Sequence, residues 1–473
     1  MWPIIILKDY IEQSMWSFYF INYLKIVSYI YYKGEWTMKK QETFSNKMGF
    51  ILACLGAAIG LGNIWLFPWR LGAYGGAAFL IPYIIFSFLL AKTGMTMEIA
   101  LGRLVKRSPF NGVDNILKSK KVPFHKSISL IPTLSVAGVF IFYSIVFGWI
   151  LKYFSLSISF KLSSLNVENA FTKVAGNPNS ILWHSVAIII TGLVVVMGVE
   201  KGIEKLNKIV MPTLFISFAF LAVISLSLNN SIEGLKYLFL PRWQYLFKVD
   251  TWVMALGQAF FSASLNGAGL VLYGGYLKDD IDIVDSSKKT VFFNMVSAIL
   301  SALVIMPAAF SFGLNPSAGP SLLFITVPSI FQKINGGSIL AIIFFLTVVF
   351  AALSSAINML DVATSFIIEN FHFSRKKAVL LLCIIFFIVG IPLDLNMNFF
   401  TNFSDFITII LAPLGALIGM IAFMWILPTK KAISEIEKGT KKPLSKSFII
   451  IGKYLLPIST IVIILLGIIY GGI

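Results

Sequence analysis

Eleven apolar stretches, each of about 20 residues, follow one another along this chain. That is the length a helix needs to cross the hydrocarbon core of a bilayer. Hydrophobic residues make up 58% of the 473 residues and charged residues only 12%, which excludes a soluble globular protein of this size. We therefore expect an all-α polytopic membrane protein. Its spans are predicted at about 49–72, 76–103, 128–156, 181–199, 206–229, 251–277, 289–313, 337–370, 376–393, 403–428 and 447–472.

The basic residues responsible for the net charge of +17 cluster in alternate loops between these stretches. This distribution follows the positive-inside rule, and it differs from the one-sided basic surface of a nucleic-acid-binding protein. It predicts a cytoplasmic N-terminus and, because the number of spans is odd, an external C-terminus. Lipid is the expected partner, and nucleic acid is not.

No arrangement of residues typical of catalysis is found in the sequence. Cys54 and Cys383 both lie in apolar stretches, and His125, His184 and His372 are isolated from one another. The HExxH and GxSxG motifs are both missing from the chain. The sequence therefore favours neither an enzyme nor a disulfide or metal-cluster framework.

Two of the apolar stretches contain residues that interrupt a helix. The segment 55–70 holds three glycines, an asparagine and a proline, and 260–269 reads Phe-Phe-Ser-Ala-Ser-Leu-Asn-Gly-Ala-Gly. Irregular backbone at membrane depth is tolerated only where it lines a protein cavity. We expect residues 57–62 to be unwound and to bind something small and polar. Close helix packing through small residues is the alternative for each glycine cluster taken alone.

The two interruptions lie in the first and the sixth stretch, five apart. This spacing predicts a 5+5 inverted repeat in which helices 1 and 6 are broken at mid-membrane and meet at a central binding site. Helix ends at such breaks present positive dipoles to an anionic group, while freed carbonyls offer oxygens to a cation.

Several motifs in colinear order resemble the neurotransmitter:sodium symporters, in particular their bacterial amino-acid transporter branch. They are Gly60-Leu-Gly-Asn-Ile-Trp-Leu-Phe-Pro68, Glu98-xxx-Gly102-Arg103, Gly257-Gln-Ala-Phe-Phe-Ser-Ala-Ser-Leu265 and Ala351-Ala-Leu-Ser-Ser355. The resemblance implies a multi-pass protein of the bacterial inner (cell) membrane that imports an amino acid with sodium by alternating access. A sodium-dependent amino-acid sensor that binds without turnover is the alternative. The sequence leaves a homodimer open.

The resemblance runs from about 44 to 470 and sets the expected domain organisation. A single transporter domain is expected over 38–473, with repeat 1 at about 44–229, repeat 2 at about 251–428 and an extra helix at about 447–472. Residues 1–37 form an N-terminal extension of doubtful role, and our hypothesis is that Met38 is the natural start.

The resemblance implies two sodium sites. The first would use the Ala58 carbonyl, the side chains of Asn63, Ser262 and Asn294, and the substrate carboxylate. The second would use the carbonyls of Gly56, Ile59 and Ala351 and the hydroxyls of Ser354 and Ser355. Such neutral oxygens suit a hard cation without burying fixed charge. For the two serines the alternative is a bond back to their own helix.

For the substrate, the resemblance implies contacts with Ala57, Ala58, Gly60, Leu61, Gly62, Val139, Tyr143, Phe261, Ser262, Ser264, Gly267, Ser355 and Met359. Gly60 occupies the position where monoamine carriers of the family have an aspartate, so the substrate should bring its own carboxylate. Gly267 replaces a residue that is often bulky, and we expect the space to admit a large hydrophobic or aromatic amino acid.

The gates depart from the family pattern. Leu66 replaces the usual outer arginine, and we expect Arg70, one turn further along, to pair with Asp405. At the inner gate Tyr276 and Glu369 match the family, but Gln41 and Phe44 replace its arginine and tryptophan. The missing cation is expected from Lys39, Lys40 or Lys47.

Two further features follow from the resemblance, and a third, the lid, from the apolar residues of a loop. Tyr83, Gln258, Ser262 and Asn294 fit a chloride cluster, but Ala298 does not and Ser297 should face elsewhere, so no strict chloride requirement is expected. Gly202-x9-Pro212 resembles a segment that unwinds to admit water to the second sodium site, and an ordinary proline kink is its alternative. The apolar loop 311–336 is expected to fold back as a lid.

Overall fold

The computed structural model describes residues 42–315, 319, 322–440 and 442–470. The N-terminal extension, Met38, Lys39, Lys40 and Gln41 lie outside them. In this part of the chain the secondary structure is helical throughout, and nine helices are long and apolar enough to cross a membrane. A bent pair of helices adds a tenth span.

We number the spans along the chain. The first consists of Lys47–Ala58 and Gly62–Ala73, and the sixth of the shorter pair Val249–Ser262 and Gly269–Gly275. The others are Ala77–Val105, His125–Ile158, Asn179–Val196, Val199–Leu226, Ile283–Ser311, Gly337–Phe371, Arg375–Leu395, Met397–Ile426 and Lys446–Ile469. Each overlaps one predicted stretch, so the all-α polytopic fold with its broken first and sixth helices is confirmed.

Short helices cover the two ends of the bundle. We call the end with Pro109–Ser119 and Thr429–Glu437 the inner face. The outer face carries Val167–Thr172, Ser231–Phe239, Trp243–Leu246 and Val327–Lys333, together with a 3-10 turn at Lys161–Ser164 and a π-helix at Leu322–Thr326.

The third and eighth spans pack along each other at the centre of the bundle. The most apolar window of the third span is 89% buried by protein, whereas that of the eleventh is only 28% buried. The first span packs against the fifth, seventh and eighth. The eleventh span is therefore peripheral, and the broken first span lies inside the bundle.

The break in the first span is narrower than predicted. Its first half stays helical to Ala58, only Ile59 and Gly60 leave the helix, and a π-helix begins at Gly62. The two halves meet at an angle of 54°. The side chains of Ser355 and Ser264 donate hydrogen bonds to the carbonyls of Gly56 and Ala57, respectively. Even beside this short break, backbone oxygens are therefore available to groups from other spans.

The break in the sixth span is longer. Its first helix ends at Ser262 and the second begins at Gly269. Between them Ser264 and Gly267 have positive φ angles of 54° and 75°. A left-handed conformation is costly for a residue with a Cβ, so the turn at Ser264 has to be stabilised by its surroundings.

The described helical part of the predicted lid, Leu322–Lys333, packs inwards against the bundle. Phe324 is fully buried and its ring lies 6.0 Å from that of Trp65 and 5.9 Å from that of Trp149. Trp65 belongs to the first span and Trp149 to the third, so the lid rests on both.

His184, isolated in the sequence, is part of a buried polar network. Its Nδ1 lies 2.7 Å from Asp394 Oδ2, and neither residue is exposed. Ser180 donates to the other carboxylate oxygen at 2.5 Å and accepts from Trp149 Nε1 at 2.8 Å. The network joins the third, fourth and ninth spans.

Candidate functional site

The two breaks meet each other through hydrogen bonds. Ser264 Oγ donates to the Ala57 carbonyl at 2.7 Å, and Gln258 Nε2 donates to the Gly62 carbonyl at 2.8 Å. Both carbonyls lie at the break of the first span and both donors belong to the sixth. The sixth span therefore holds the irregular backbone of the first.

Gly60, one of the predicted substrate contacts, lies against two hydroxyl groups. A Cβ at this position would lie 2.5 Å from Ser355 Oγ and 2.9 Å from Tyr143 Oη. The Leu61 N–H donates to the same tyrosine oxygen at 3.4 Å. Hydroxyls and a backbone N–H thus converge where a side chain at position 60 has no space. This is a suitable arrangement for a small carboxylate.

The remaining wall of the predicted substrate pocket is apolar. A Cβ on Gly62 would lie 2.9 Å from the Phe261 ring. Val139 is buried, whereas Phe261 and Met359 are partly buried. The three residues come from the third, sixth and eighth spans, and Phe261 is the one that the structure places directly against the break of the first span.

The reason expected for Gly267 needs correction. Its φ of 75° is left-handed, and a Cβ there would collide with the Gly415 carbonyl of the tenth span. Glycine is required by the backbone and by this close approach. The geometry therefore does not support the expectation that a missing side chain at 267 enlarges the pocket.

Three residues predicted for the first sodium ion, Asn63, Asn294 and Ser262, are connected by hydrogen bonds. The Nδ2 of Asn63 donates to Asn294 Oδ1 at 2.7 Å and to Ser297 Oγ at 2.7 Å. Its own Oδ1 is buried and has no hydrogen-bond partner in the described part of the chain. Ser262 Oγ accepts from Asn294 Nδ2 at 3.2 Å. An unpaired amide oxygen among these groups fits a cation ligand. Ser297 faces this cluster, contrary to expectation.

The residues predicted for the second sodium ion also come together. Ser355 Oγ donates to the Gly56 carbonyl at 3.0 Å, and Ser354 Oγ donates to the Ala351 carbonyl at 2.9 Å. Ile59 follows the end of the helix in an extended conformation, with φ −82° and ψ 90°. Neutral oxygens of the first and eighth spans therefore face each other. Ser354 forms a hydrogen bond within its own helix, which is the alternative given for both serines in the sequence analysis. Ser355 forms its hydrogen bond with the first span.

At the outer side, Arg70 has a different partner from the predicted one. It is only 4% exposed and its guanidinium donates to Gln258 Oε1 at 2.8 Å. The pairing with Asp405 is absent from the ion pairs of the described residues. Gln258 also donates a hydrogen bond to the Gly62 carbonyl, so Arg70 is connected through Gln258 to the break in the first span.

At the inner side, the cation comes from a residue that sequence reasoning missed. Arg375 pairs with Asp361 at 2.5 Å and with Glu42 at 3.4 Å. Tyr276 donates to the same Asp361 at 3.1 Å. An acid inside an apolar helix, such as Asp361, was the available signal.

Two inner-gate predictions are corrected by these contacts. Lys47 pairs with Asp285 at 2.7 Å and thus does not replace the missing arginine. Glu369 accepts from the Ser108 backbone at 2.6 Å and from Asn111 at 2.7 Å, so among the described residues it holds the N-terminal end of the helix Pro109–Ser119.

Comparison with known proteins decides the family. Residues 41–176 and 165–471 match the sodium:neurotransmitter symporter family. The chain belongs to this family. The symporter is thus a multi-pass membrane protein that couples transport to sodium, and it is not an enzyme.

Relatives from prokaryotes support the bacterial branch of the family. The symporter is 32% identical to the sodium-dependent transporter YhdH of Bacillus subtilis (strain 168), over 90% of this chain and 98% of the relative. It is 28% identical to the sodium-dependent transporter MJ1319 of Methanocaldococcus jannaschii, over 84% and 85%. The crystal structure of MhsT in complex with L-phenylalanine is similar at 32% identity with a TM-score of 0.82, covering 90% of this chain and 99% of that chain.

Proposed function

We propose that this symporter imports a large hydrophobic or aromatic α-amino acid together with two sodium ions by alternating access. The observation that carries the proposal is the convergence of Tyr143 Oη, Ser355 Oγ and the Leu61 N–H on Gly60, opposite an apolar wall. The relative MhsT has been solved with L-phenylalanine, which supports an aromatic substrate.

The pocket offers a partner to each part of such a substrate. The carboxylate accepts from Tyr143 and the Leu61 N–H and completes the first sodium site. The ammonium meets carbonyls left by the two breaks. The side chain lies against Val139, Phe261 and Met359. With glycine at 60 the pocket has no carboxylate of its own there, so an amine without an acid group would lack a counter-charge.

We assign the two sodium ions to two groups of neutral oxygens, which are suitable ligands for a hard cation. Asn63 Oδ1 is free for the first ion, and Asn294 and Ser262 belong to the same hydrogen-bonded cluster; the Ala58 carbonyl is proposed as a further ligand. Gly56, Ile59, Ala351, Ser354 and Ser355 surround the second. No strict chloride requirement is proposed, because Ala298 is buried and offers no hydroxyl to the partial chloride cluster.

In the cell, we place the symporter in the bacterial inner membrane with its inner face towards the cytoplasm. The basic loops of that face support this orientation. A homodimer stays open.

The test is uptake of labelled L-phenylalanine into proteoliposomes along an inward sodium gradient. We expect accumulation that is abolished when potassium replaces sodium. Tyrosine, tryptophan, leucine and methionine should compete, and glycine should not. Binding without accumulation would favour a sensor, and strong competition by glycine would contradict the proposed side-chain pocket.

A variant pair tests the carboxylate contact. Tyr143→Phe should raise the half-saturating phenylalanine concentration about tenfold or more, because it removes a hydrogen bond to a charged group. Tyr153→Phe is the matched control: it lies in the same span, and its buried hydroxyl has no partner among the described residues. Equal effects of both variants would contradict the assignment of Tyr143.

A further inference from the structure

Asn207, in the fifth span, has a side-chain amide oxygen, Oδ1, that has no role in the sites described above. The residue is fully buried, and its Nδ2 donates to the Ile203 carbonyl at 2.8 Å. Since only the NH2 group can donate to a carbonyl, this bond fixes which way the amide points. Its Oδ1 has no hydrogen-bond partner in the part of the chain that the structure describes.

This oxygen borders the second sodium site. A Cβ on Gly56 would overlap Asn207 Oδ1 and would lie 3.1 Å from Ser354 Cβ. Gly56 and Ser354 are both among the proposed ligands of the second ion. The unpaired oxygen therefore reaches the site from the fifth span, which contributes no other proposed ligand.

We propose that Asn207 supplies a further oxygen to the second sodium ion. The assignment rests on the proposed function, because it assumes that an ion binds between Gly56 and Ser354. A neutral amide oxygen is a suitable ligand for a hard cation, and buried amide oxygens in native structures seldom lack a partner.

The surroundings of Asn207 connect this site with the inner face. Glu204 lies three residues earlier, on the same side of the helix. It accepts from the Ser45 N–H at 2.8 Å and pairs with Lys208 at 2.6 Å. Glu204, Ser45 and Lys208 thus hold the inner end of the fifth span against the chain just before the first span.

The consequence concerns the segment Gly202–Pro212, which contains Asn207 near its middle. Its first three residues belong to the π-helix Val199–Glu204, which departs from regular α-helical bonding. An ion held by Asn207 joins this span to the first and eighth. By linkage, sodium then stabilises the helical segment, and unwinding of the segment weakens sodium binding.

The experiment is a sodium titration of the thermal stability of the purified full-length protein, with saturating phenylalanine and choline as the replacement cation. Asn207→Ala and Asn207→Leu should raise the half-saturating sodium concentration about tenfold, the loss typical of weakened metal coordination. Asn207→Asp keeps the oxygen and adds charge, so its midpoint should match or fall below that of the wild type.

Ser225→Ala is the matched control. Ser225 lies in the same span, and its buried hydroxyl also has no hydrogen-bond partner among the described residues. The 18 residues between it and Asn207 separate them by about 27 Å along the helix. Its sodium midpoint should stay at the wild-type value.

Two results would overturn the assignment alone: a wild-type midpoint in Asn207→Ala, or equal shifts in the Ala and Asp variants, which would indicate a packing role. A wild-type protein that sodium does not stabilise would overturn the proposed function and this assignment with it.

Discussion

Gly60 and Gly267 lie at the two breaks and are glycine for different physical reasons. At Gly60 a Cβ would overlap the hydroxyls of Ser355 and Tyr143, to which the substrate carboxylate is proposed to bind. At Gly267 a Cβ would meet the backbone of Gly415. The first glycine permits side-chain hydroxyls to approach the backbone, and the second permits two helices to approach.

Gly267→Ala should therefore destabilise the fold, by about 1–2 kcal/mol for the left-handed backbone and about 1–3 kcal/mol for the overlap. Gly336→Ala is the control, because Gly336 has the same φ of 75° but nothing within 4 Å of its Cβ. The free energy of unfolding in detergent measures both. Equal losses would mean that the contact with Gly415 contributes nothing.

A second residue-level prediction concerns His184 and Asp394. His184→Leu leaves a fully buried carboxylate without its imidazole partner, so we expect a loss of about 3–5 kcal/mol in the free energy of unfolding. The pair His125–Asp114, with side chains 25% and 13% exposed, is the comparison. His125→Leu should cost about 1 kcal/mol or less. A similarly small loss in His184→Leu would argue against the buried pair.

At the scale of elements, two polar connections bind neighbouring spans above and below the site. Arg70 and Gln258 join the first and sixth spans on the outer side. Arg375, Asp361 and Tyr276 join the ninth, eighth and sixth on the inner side. Each connection would have to open when the corresponding side of an alternating-access transporter opens.

Arg375→Gln should loosen the inner connection. Cys54 can report this, because it is fully buried in the first span one turn from Ala58. In a Cys383→Ala background we expect faster reaction of Cys54 with a thiol reagent in Arg375→Gln than in the parent. Lys289→Gln, which removes an ion pair with side chains 51% and 36% exposed, should leave the rate unchanged. Unchanged labelling in Arg375→Gln would contradict an inner gate here.

For the outer connection, Arg70 and Asp405 stay predicted gate residues that do not touch in this structure. Arg70→Gln should reduce phenylalanine uptake, because the side chain holds Gln258 and through it the Gly62 carbonyl. Leu66→Arg in that background should restore part of the uptake by returning a cation to the family's usual position. Wild-type uptake by Arg70→Gln would exclude Arg70 from gating.

At the scale of the whole molecule, the family match begins at residue 41, close to the hypothesised start at Met38. A chain beginning at Met38 should therefore insert, bind phenylalanine and transport it as the full chain does. Sodium-driven uptake at equal protein density in proteoliposomes checks this. A truncated protein that fails to insert, or that inserts without transport, would assign a function to residues 1–37.

The spans, the existence of the two breaks and the family could be predicted from the sequence. The spans and breaks depend on local properties: the length of an apolar stretch, and glycine or proline within it. The oxygens proposed for the sodium ions, except that of Asn207, were also named from the sequence, most of them in the contiguous motifs around Gly60, Ser262 and Ser354.

Only the tertiary structure decided the partners. Gly267 meets Gly415, His184 meets Asp394, and Asn207 meets Gly56 across more than 100 positions of chain in each case. Arg375 and Asp361 are close in sequence, but they meet because two helices turn back on each other. A helical pattern tells which face of a helix is apolar, whereas the contact of one side chain with another depends on how separate helices pack.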